Sequence, residues 1–324
     1  MSRAWPLALA GAVIAALGIG LAAGSVPLGL VEVWGALRDP DAPGAVVVRS
    51  LRAPRVLLAF LVGGSLGISG AALQALIRNP LAEPFLLGLS SGAGLGAVAA
   101  LALGLGGSWS VPVAAFGGAL AAVALVYRLS LVAGRRLDPR VLLLAGVVVG
   151  SFAGALMSAI LVLSPATGIR NAFLWLLGGF GAASWQSVGI FAAYAVAPLA
   201  LIALHARGLD LMVLGEEPAH HLGAAVERTR RVVYLCTALL TAASVATCGI
   251  IGFVGLVVPH AVRTVARPLH RTLLPAVFLV GGAFMVLADV VARTIVRPLE
   301  LPVGVVTALV GVPVFALLLR RTLT

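Results

Sequence analysis

The sequence predicts an all-α fold: a polytopic transmembrane bundle of about ten spans, forming a single domain over residues 1–324. Three observations predict it. Hydrophobic residues fill 61% of the 324 positions, charged residues only 10%, and mean hydropathy is +1.13. A soluble globule carries about a quarter charged residues, because much of its surface must face water. Apolar runs of about 18 residues or more, long enough to cross a hydrocarbon layer of about 30 Å as helices, recur along the whole chain. Arginine collects between alternate runs, as it does in the cytoplasmic loops of membrane proteins.

The first run, 5–27, follows Arg3 and resembles a signal peptide. It is longer than the usual apolar core of about 7–15 residues, so it reads as an uncleaved first span. Runs at 56–76, 86–106, 111–132, 141–163 and 185–205 supply spans two to six. The block 232–262 is too long for one crossing and short for two. Arg228, Arg230 and Arg231 precede it, and Arg263, Arg267 and Arg271 follow it. A single crossing would put one of these basic clusters outside, against the positive-inside tendency. Gly249, Gly252 and Gly255 offer a turn, so two crossings are expected, the second short and ending at Pro259. Runs at 273–296 and 302–320 complete the ten.

With both termini cytoplasmic, the inner loops and ends hold Arg3, Arg78, Arg135, Arg136, Arg140, Arg207, the two clusters, Arg320 and Arg321, with Arg128 at the inner end of span four. Arg38, Arg49, Arg52, Arg55, Arg170, Arg293 and Arg297 fall outside and need a reason. Spans three to five are rich in small residues, and Gly92 and Gly96 form an i, i+4 pair of the kind that lets helix backbones approach in lipid.

Several function classes are excluded. The chain has no lysine, so it holds neither a GxxxxGK[ST] phosphate loop nor a Schiff-base site. Work driven by ATP would need another chain to bind the nucleotide. The net charge of +11 is not a nucleic-acid footprint, because no basic run is interleaved with aromatics. Cys236 and Cys248 lie on one expected helix, about 18 Å apart at 1.5 Å per residue, too far for a disulfide. Gly88-Leu89-Ser90-Ser91-Gly92 matches the GxSxG elbow of serine hydrolases, but that motif needs a preceding strand and a nearby His, and a membrane helix stands there instead.

The segment 206–231, between spans six and seven, is a charged island in this apolar text: Arg207, Asp210, Glu216, Glu217, Glu227, Arg228, Arg230 and Arg231. Within it, Glu216, Glu217 and Pro218 suit the first turn of a short helix, and Gly223 suits its stop. A second short helix is expected to begin near Ala224. Two short helices meeting at a glycine make a stiff knob, a docking surface for a soluble partner. The pairs Glu216–His220 and Glu217–His221 lack a third ligand, so no metal site is assigned. Asp289, a carboxylate within a span, is expected to pair with Arg293 at i+4. His260 reads as an interface or capping residue. Asn79–Pro80 and Glu83–Pro84 make an irregular corner, where Asn79 and Glu83 can satisfy freed backbone groups.

The stretches LRAPRVLLAFLVGGSLGISGAALQALIRNPLAEPFLLGLSSGAGLGA (51–97), FLWLLGGFG (173–181), LGEEPAHHLG (214–223), GFVGLVVPHAVR (252–263), LLPAVFLVGGAFMVLADVVAR (273–293) and ELPVGVVTALVGVPVF (300–315) run nearly end to end. In this order they resemble the FecCD-type permeases of ABC importers, which carry cobalamin, haem and ferric siderophores; the text lies closest to the cobalamin branch. The resemblance implies a type II importer permease in the bacterial inner membrane, working as a homodimer with two copies of a cytoplasmic ABC ATPase and a periplasmic or lipid-anchored substrate-binding protein. It implies no cofactor on this chain, with ATP and Mg on the partner ATPase, and no catalytic residue here. Leu214, Gly215, Glu216, Glu217, Ala219, His220, Leu222 and Gly223 would be the ATPase-coupling element. Arg52, Arg55 and Arg293 would meet acidic residues of the binding protein; Arg49 and Arg297 are further outward candidates that the resemblance does not match. Asp138, Pro139 and Arg140 would stand at the inner gate, where some relatives carry hydroxyl residues that this chain lacks. Spans five and ten, with span three, would line the path. The alternative is an ion-gradient-driven secondary transporter, which would want an unpaired membrane carboxylate such as Asp289.

Overall fold

The computed structural model describes residues 5–24, 26–105, 109–134, 138–266 and 269–323. Arg3, Arg135, Arg136 and Arg267 lie outside the described residues, and so do the side chains of Pro139, Arg320 and Arg321. The described residues form fourteen α-helices and no strand: α1 (Trp5–Ala22), α2 (Leu30–Arg38), α3 (Ala53–Ile77), α4 (Leu89–Ala102), α5 (Ser110–Gly134), α6 (Pro139–Leu163), α7 (Ala166–Leu176), α8 (Trp185–Leu204), α9 (Ala206–Val213), α10 (Glu216–His221), α11 (Val226–Cys248), α12 (Val254–Arg263), α13 (His270–Thr294) and α14 (Val303–Leu323). Seven helical segments are long and apolar enough to cross a membrane. Three shorter apolar helices, Leu89–Ala102, Val254–Arg263 and Val303–Leu317, stand where spans three, eight and ten were expected. Short α2, α7 and α9 were not foreseen.

The ambiguous block splits at its glycines into two helices, as expected. The second, however, has only ten residues, too few to cross a hydrocarbon layer of about 30 Å as a helix. Helix α11 ends at Gly249, whose φ of 73° suits glycine alone, and α12 follows after a short connection. Pro259 lies inside α12, which runs on to Arg263. The second short helix anticipated near Ala224 is no separate element: Val226 already begins the long helix α11. A span that begins at the charged island needs no extra turn to carry Arg228–Arg231.

Helix α3 is the pillar of the bundle. Its most apolar stretch is 83% buried, against 17% for those of α1 and α6. A π-helical turn, Val47–Arg52, leads into it, and the Ala53 amide bonds the Val48 carbonyl five residues back. Pro54, which has no amide to offer, occupies the first turn of α3, where none is needed. Small residues then let neighbours close in. A Cβ added at Gly63 would lie 2.3 Å from the Gly281 carbonyl oxygen of α13, and one at Gly70 would lie 1.9 Å from the Gly255 oxygen of α12. Such backbone contact maximises van der Waals packing where lipid removes the hydrophobic incentive. The Gly92/Gly96 pair does the same on α4: added Cβ atoms would lie 2.6 Å from the Gly118 oxygen and 2.1 Å from the Ala114 oxygen of α5.

Candidate coupling and docking sites

At one end of the bundle α9, α10 and the first turns of α11 form a compact knob. Gly215 (φ 119°) and Gly223 (φ 78°) bracket α10 in conformations that L side chains rarely adopt. Glu216 and Glu217 lie in its first turn, where negative charge suits the helix dipole, and His220 and His221 lie in its last. Ala219 is fully buried beneath it, while Glu217, Pro218, His220, His221 and Leu222 are exposed. Arg230, only 2% exposed, clamps the knob to α11: Nη1 donates to Glu227 Oε1 at 3.0 Å and Nη2 to Glu216 Oε1. A cleft of about 320 Å³, lined by Glu216, His220 and Ala224–Arg228, opens beside this clamp. A second tie runs from α9 to α13, where Asp210 Oδ1 accepts the His270 amide at 2.9 Å and its Nδ1–H at 2.6 Å. Neither Arg230 nor Asp210 was singled out from sequence for this work. Glu216 engages Arg230 in place of the His220 partner considered for it, and no group of three metal-ligating side chains occurs among the described residues.

The opposite end gathers Arg52, Arg55 and Arg293 around Asp289, at the far end of α13. Arg55 presents a double fork. Nε and Nη2 reach Asp289 at 3.1 and 2.9 Å, and Nη1 and Nη2 reach Glu300 at 3.1 and 2.9 Å. Arg293 Nε lies 3.3 Å from Asp289 Oδ2, while its Nη2 donates to the Gly20 carbonyl at 2.6 Å. Asp289, 1% exposed, therefore has two arginine partners, and the one that bonds it most fully is Arg55 rather than the expected Arg293. Arg52 donates to the carbonyls of Leu21 and Ala22 at 2.9 and 2.8 Å and also to that of Val26. It thereby satisfies the orphan carbonyls at the end of α1. Arg52 and Arg293 are buried, and the Arg55 side chain is 14% exposed. Of the weaker candidates, the Arg49 carbonyl accepts the Trp185 indole N–H at 2.8 Å. Glu300 was not foreseen as a member of this cluster; the only hint was its place at the head of the ELPVG motif.

The bundle is stitched together near α12. Asn79 Oδ1 accepts the Leu81 amide at 2.9 Å, as the irregular corner leads one to expect, whereas Glu83 Oε1 accepts not a corner amide but that of Phe253 (φ 68°), before α12, at 2.5 Å. The WLLGGFG turn is bonded on both sides, with the Gly179 amide to the Cys248 carbonyl at 2.7 Å and the Val303 amide to the Gly178 carbonyl at 3.0 Å. Beside it lies an apolar cavity of about 640 Å³, walled by Leu176, Leu177, Ile250, Phe253 and the α14 residues Gly304, Val305, Ala308, Leu309, Val312 and Pro313. Of the helices expected to line a path, α14 contributes to this wall and α4 and α6 do not. At the expected inner gate, Asp138 caps α6 by accepting the Arg140 amide at 2.8 Å, and both residues are exposed. The GxSxG stretch follows a 3-10 turn and opens α4, with no strand before it.

A family model described as the FecCD transport family matches residues 12–321. The chain is 40% identical over 316 residues to the uncharacterized ABC transporter permease protein YvrB of Bacillus subtilis, covering 94% of this chain and 89% of that protein. It is 46% identical over 275 residues to the cobalamin import system permease protein BtuC of Halobacterium salinarum, covering 85% and 73% respectively. Among solved structures, an inward-facing conformation of a putative metal-chelate type ABC transporter superposes with a TM-score of 0.88 at 29% identity, covering 97% of this chain and 98% of that one.

Proposed function

Because the chain belongs to the FecCD transport family, and is thus a membrane-spanning permease of the ABC importer type, we propose that it moves a bulky metal chelate inward across the bacterial inner membrane as a homodimer. Two copies of a separate ABC ATPase would dock on the knob at 214–223, and a periplasmic or lipid-anchored binding protein would dock at the arginine cluster. Both termini would face the cytoplasm. Among chelates we favour cobalamin over haem and ferric siderophores, on the relative named for cobalamin import.

The observation that carries the reading is the clamped knob. Arg230 fixes α10 to α11 and Asp210 fixes α9 to α13, so a push on the exposed face of α10 reaches two spans directly. A slack loop would absorb such a push. The permease makes no covalent bond in this scheme. It binds, tilts and releases, and the nearly uncharged cavity beside α14 suits a large ligand that must not be held tightly. The ion-gradient alternative wants an unpaired carboxylate within the spans, yet Asp289 is engaged by Arg55 and Arg293.

Reconstitution into proteoliposomes tests the proposal. Radiolabelled cyanocobalamin, haem and a ferric hydroxamate would be offered with and without the ATPase and binding protein recovered by cross-linking to the expressed chain. Uptake is expected only with ATP and both partners. Uptake without a nucleotide-hydrolysing companion would overturn the reading, as would labelling of a His221→Cys variant from the periplasmic side.

A further inference from the structure

We propose that Glu300 is a built-in occupant of Arg55, which a carboxylate of the docking binding protein must displace, and that this exchange frees the start of α14. The inference rests on the docking reading above. The Arg55 guanidinium has two bonding edges. One holds Asp289, which is 1% exposed and out of reach from the membrane surface. The other holds Glu300, which is 50% exposed, through two bonds at 3.1 and 2.9 Å. That bidentate geometry is the one an incoming carboxylate would use. Because Asp289 closes the inner edge, an acidic group arriving from outside can pair bidentately with Arg55 only by taking the place of Glu300. Arg52 and Arg293 cannot serve in the same way: both are buried and spend donors on carbonyls of α1 and the residues just after it.

The exchange is energetically open. A solvent-exposed ion pair is weak and easily traded for an equivalent one, whereas a buried pair resists loss of either partner. Arg55 would therefore keep Asp289 and swap Glu300. The swap has a consequence because of where Glu300 sits. It lies just before α14, whose first turns form the wall of the apolar cavity at Gly304, Val305 and Ala308. Once Glu300 lets go, this segment is held by two backbone bonds, Leu301 N–H to the Ala292 carbonyl at 2.9 Å and Val303 N–H to the Gly178 carbonyl at 3.0 Å. Arrival of the binding protein would thus loosen one wall of the cavity it is about to fill.

The test combines hydrogen exchange with a binding titration, using the full permease–ATPase complex in nanodiscs and the binding protein recovered as above. In Glu300→Gln, amides in the peptide 299–305 are expected to exchange about tenfold faster than in the wild type without any partner. The variant is expected to bind the partner about three- to fivefold more tightly, since no internal carboxylate competes. In the wild type, docking should speed exchange in the same peptide. Unchanged or weaker binding by Glu300→Gln, or slower exchange at 299–305 on docking, would overturn the exchange. Should Glu300→Gln fail to assemble, Glu300→Asp, one methylene short of Arg55, is expected to shift both readouts in the same direction. The paired variant Arg55→Gln with Asp289→Asn separates the two ideas. If that pair binds as the wild type does, the docking reading itself has failed; if it loses binding while Glu300→Gln gains none, only the exchange has.

Discussion

Asp210 accepts two hydrogen bonds from one residue, the backbone amide and the ring Nδ1–H of His270, and so ties α9 to the first turn of α13. The amide is one of the donors that every helix start leaves without an internal partner. Asp210 is therefore at once a cap for α13 and a tether for the knob. Replacing it by Ala is expected to cost ~1 kcal/mol of stability. The larger effect should be on coupling, with ATP hydrolysis by the complex persisting while uptake per ATP falls at least severalfold. Asp210→Asn, which keeps an acceptor, should retain more of the coupling than Asp210→Ala. Parallel measurement of hydrolysis and uptake checks this.

Arg230→Met is expected to leave the bundle folded, because the released Glu216 and Glu227 side chains are 49% and 44% exposed and can be hydrated. What it removes is the registration of α10 against α11. The expected result is a loss of about tenfold or more in affinity for the ATPase with little change in melting temperature, in line with the truncation of a buried interface-positioning arginine. Co-purification of the two subunits at increasing salt would measure it.

Arg55→Ala should behave differently. It strips the buried Asp289 of its best partner and leaves only Arg293 at 3.3 Å. Breaking one side of a buried pair costs ~3–5 kcal/mol, so this variant is expected to be poorly expressed and to melt early in detergent. The paired change Arg55→Gln with Asp289→Asn should recover much of that stability. A single-site loss of transport at Arg55 would therefore say little about docking until the pair has been compared.

Glu83→Leu is expected to release the Phe253 amide at the start of α12, costing ~1 kcal/mol for a half-buried donor left without its acceptor. Glu83→Gln, which keeps an oxygen in place, should cost much less. Thermal melts of the two variants side by side give the comparison, and uptake by Glu83→Gln should remain near that of the wild type.

Gly70→Val and Gly63→Val should be among the most damaging single changes in the chain. Their side chains would start 1.9 and 2.3 Å from backbone oxygens of other helices, atoms that cannot rotate away. Overpacking of ~1–3 kcal/mol or more is expected at each. Gly117, with open space around its absent Cβ, should tolerate Ala with no measurable shift. Expression level and melting temperature of the three variants would order them.

Span positions could be read directly because hydropathy over about twenty residues is a local property, and runs such as 111–132 and 185–205 match their helices closely. Helices α2, α7 and α9 escaped because each is short and mixed in character, offering neither a long apolar run nor enough turns for periodicity to emerge. The charged knob was visible as an island of ionisable residues, but its clamp was not. Arg230 and Glu216 are separated by a glycine turn that only the folded backbone resolves. The arginine cluster shows the same limit more sharply. Arg293 could be matched to Asp289 by helical spacing, whereas Arg55 meets Asp289 from 234 residues away, a distance no local pattern bridges.

Helix α3 meets its glycine-faced neighbour α13 only after roughly two hundred further residues have been made, which at about 5–20 residues per second is ten to forty seconds of translation. During that interval the notches at Gly63 and Gly67, which later receive Gly281 and Val277 of α13, have no partner helix. The order of synthesis thus leaves the most buried span of the bundle waiting for the neighbour that packs it.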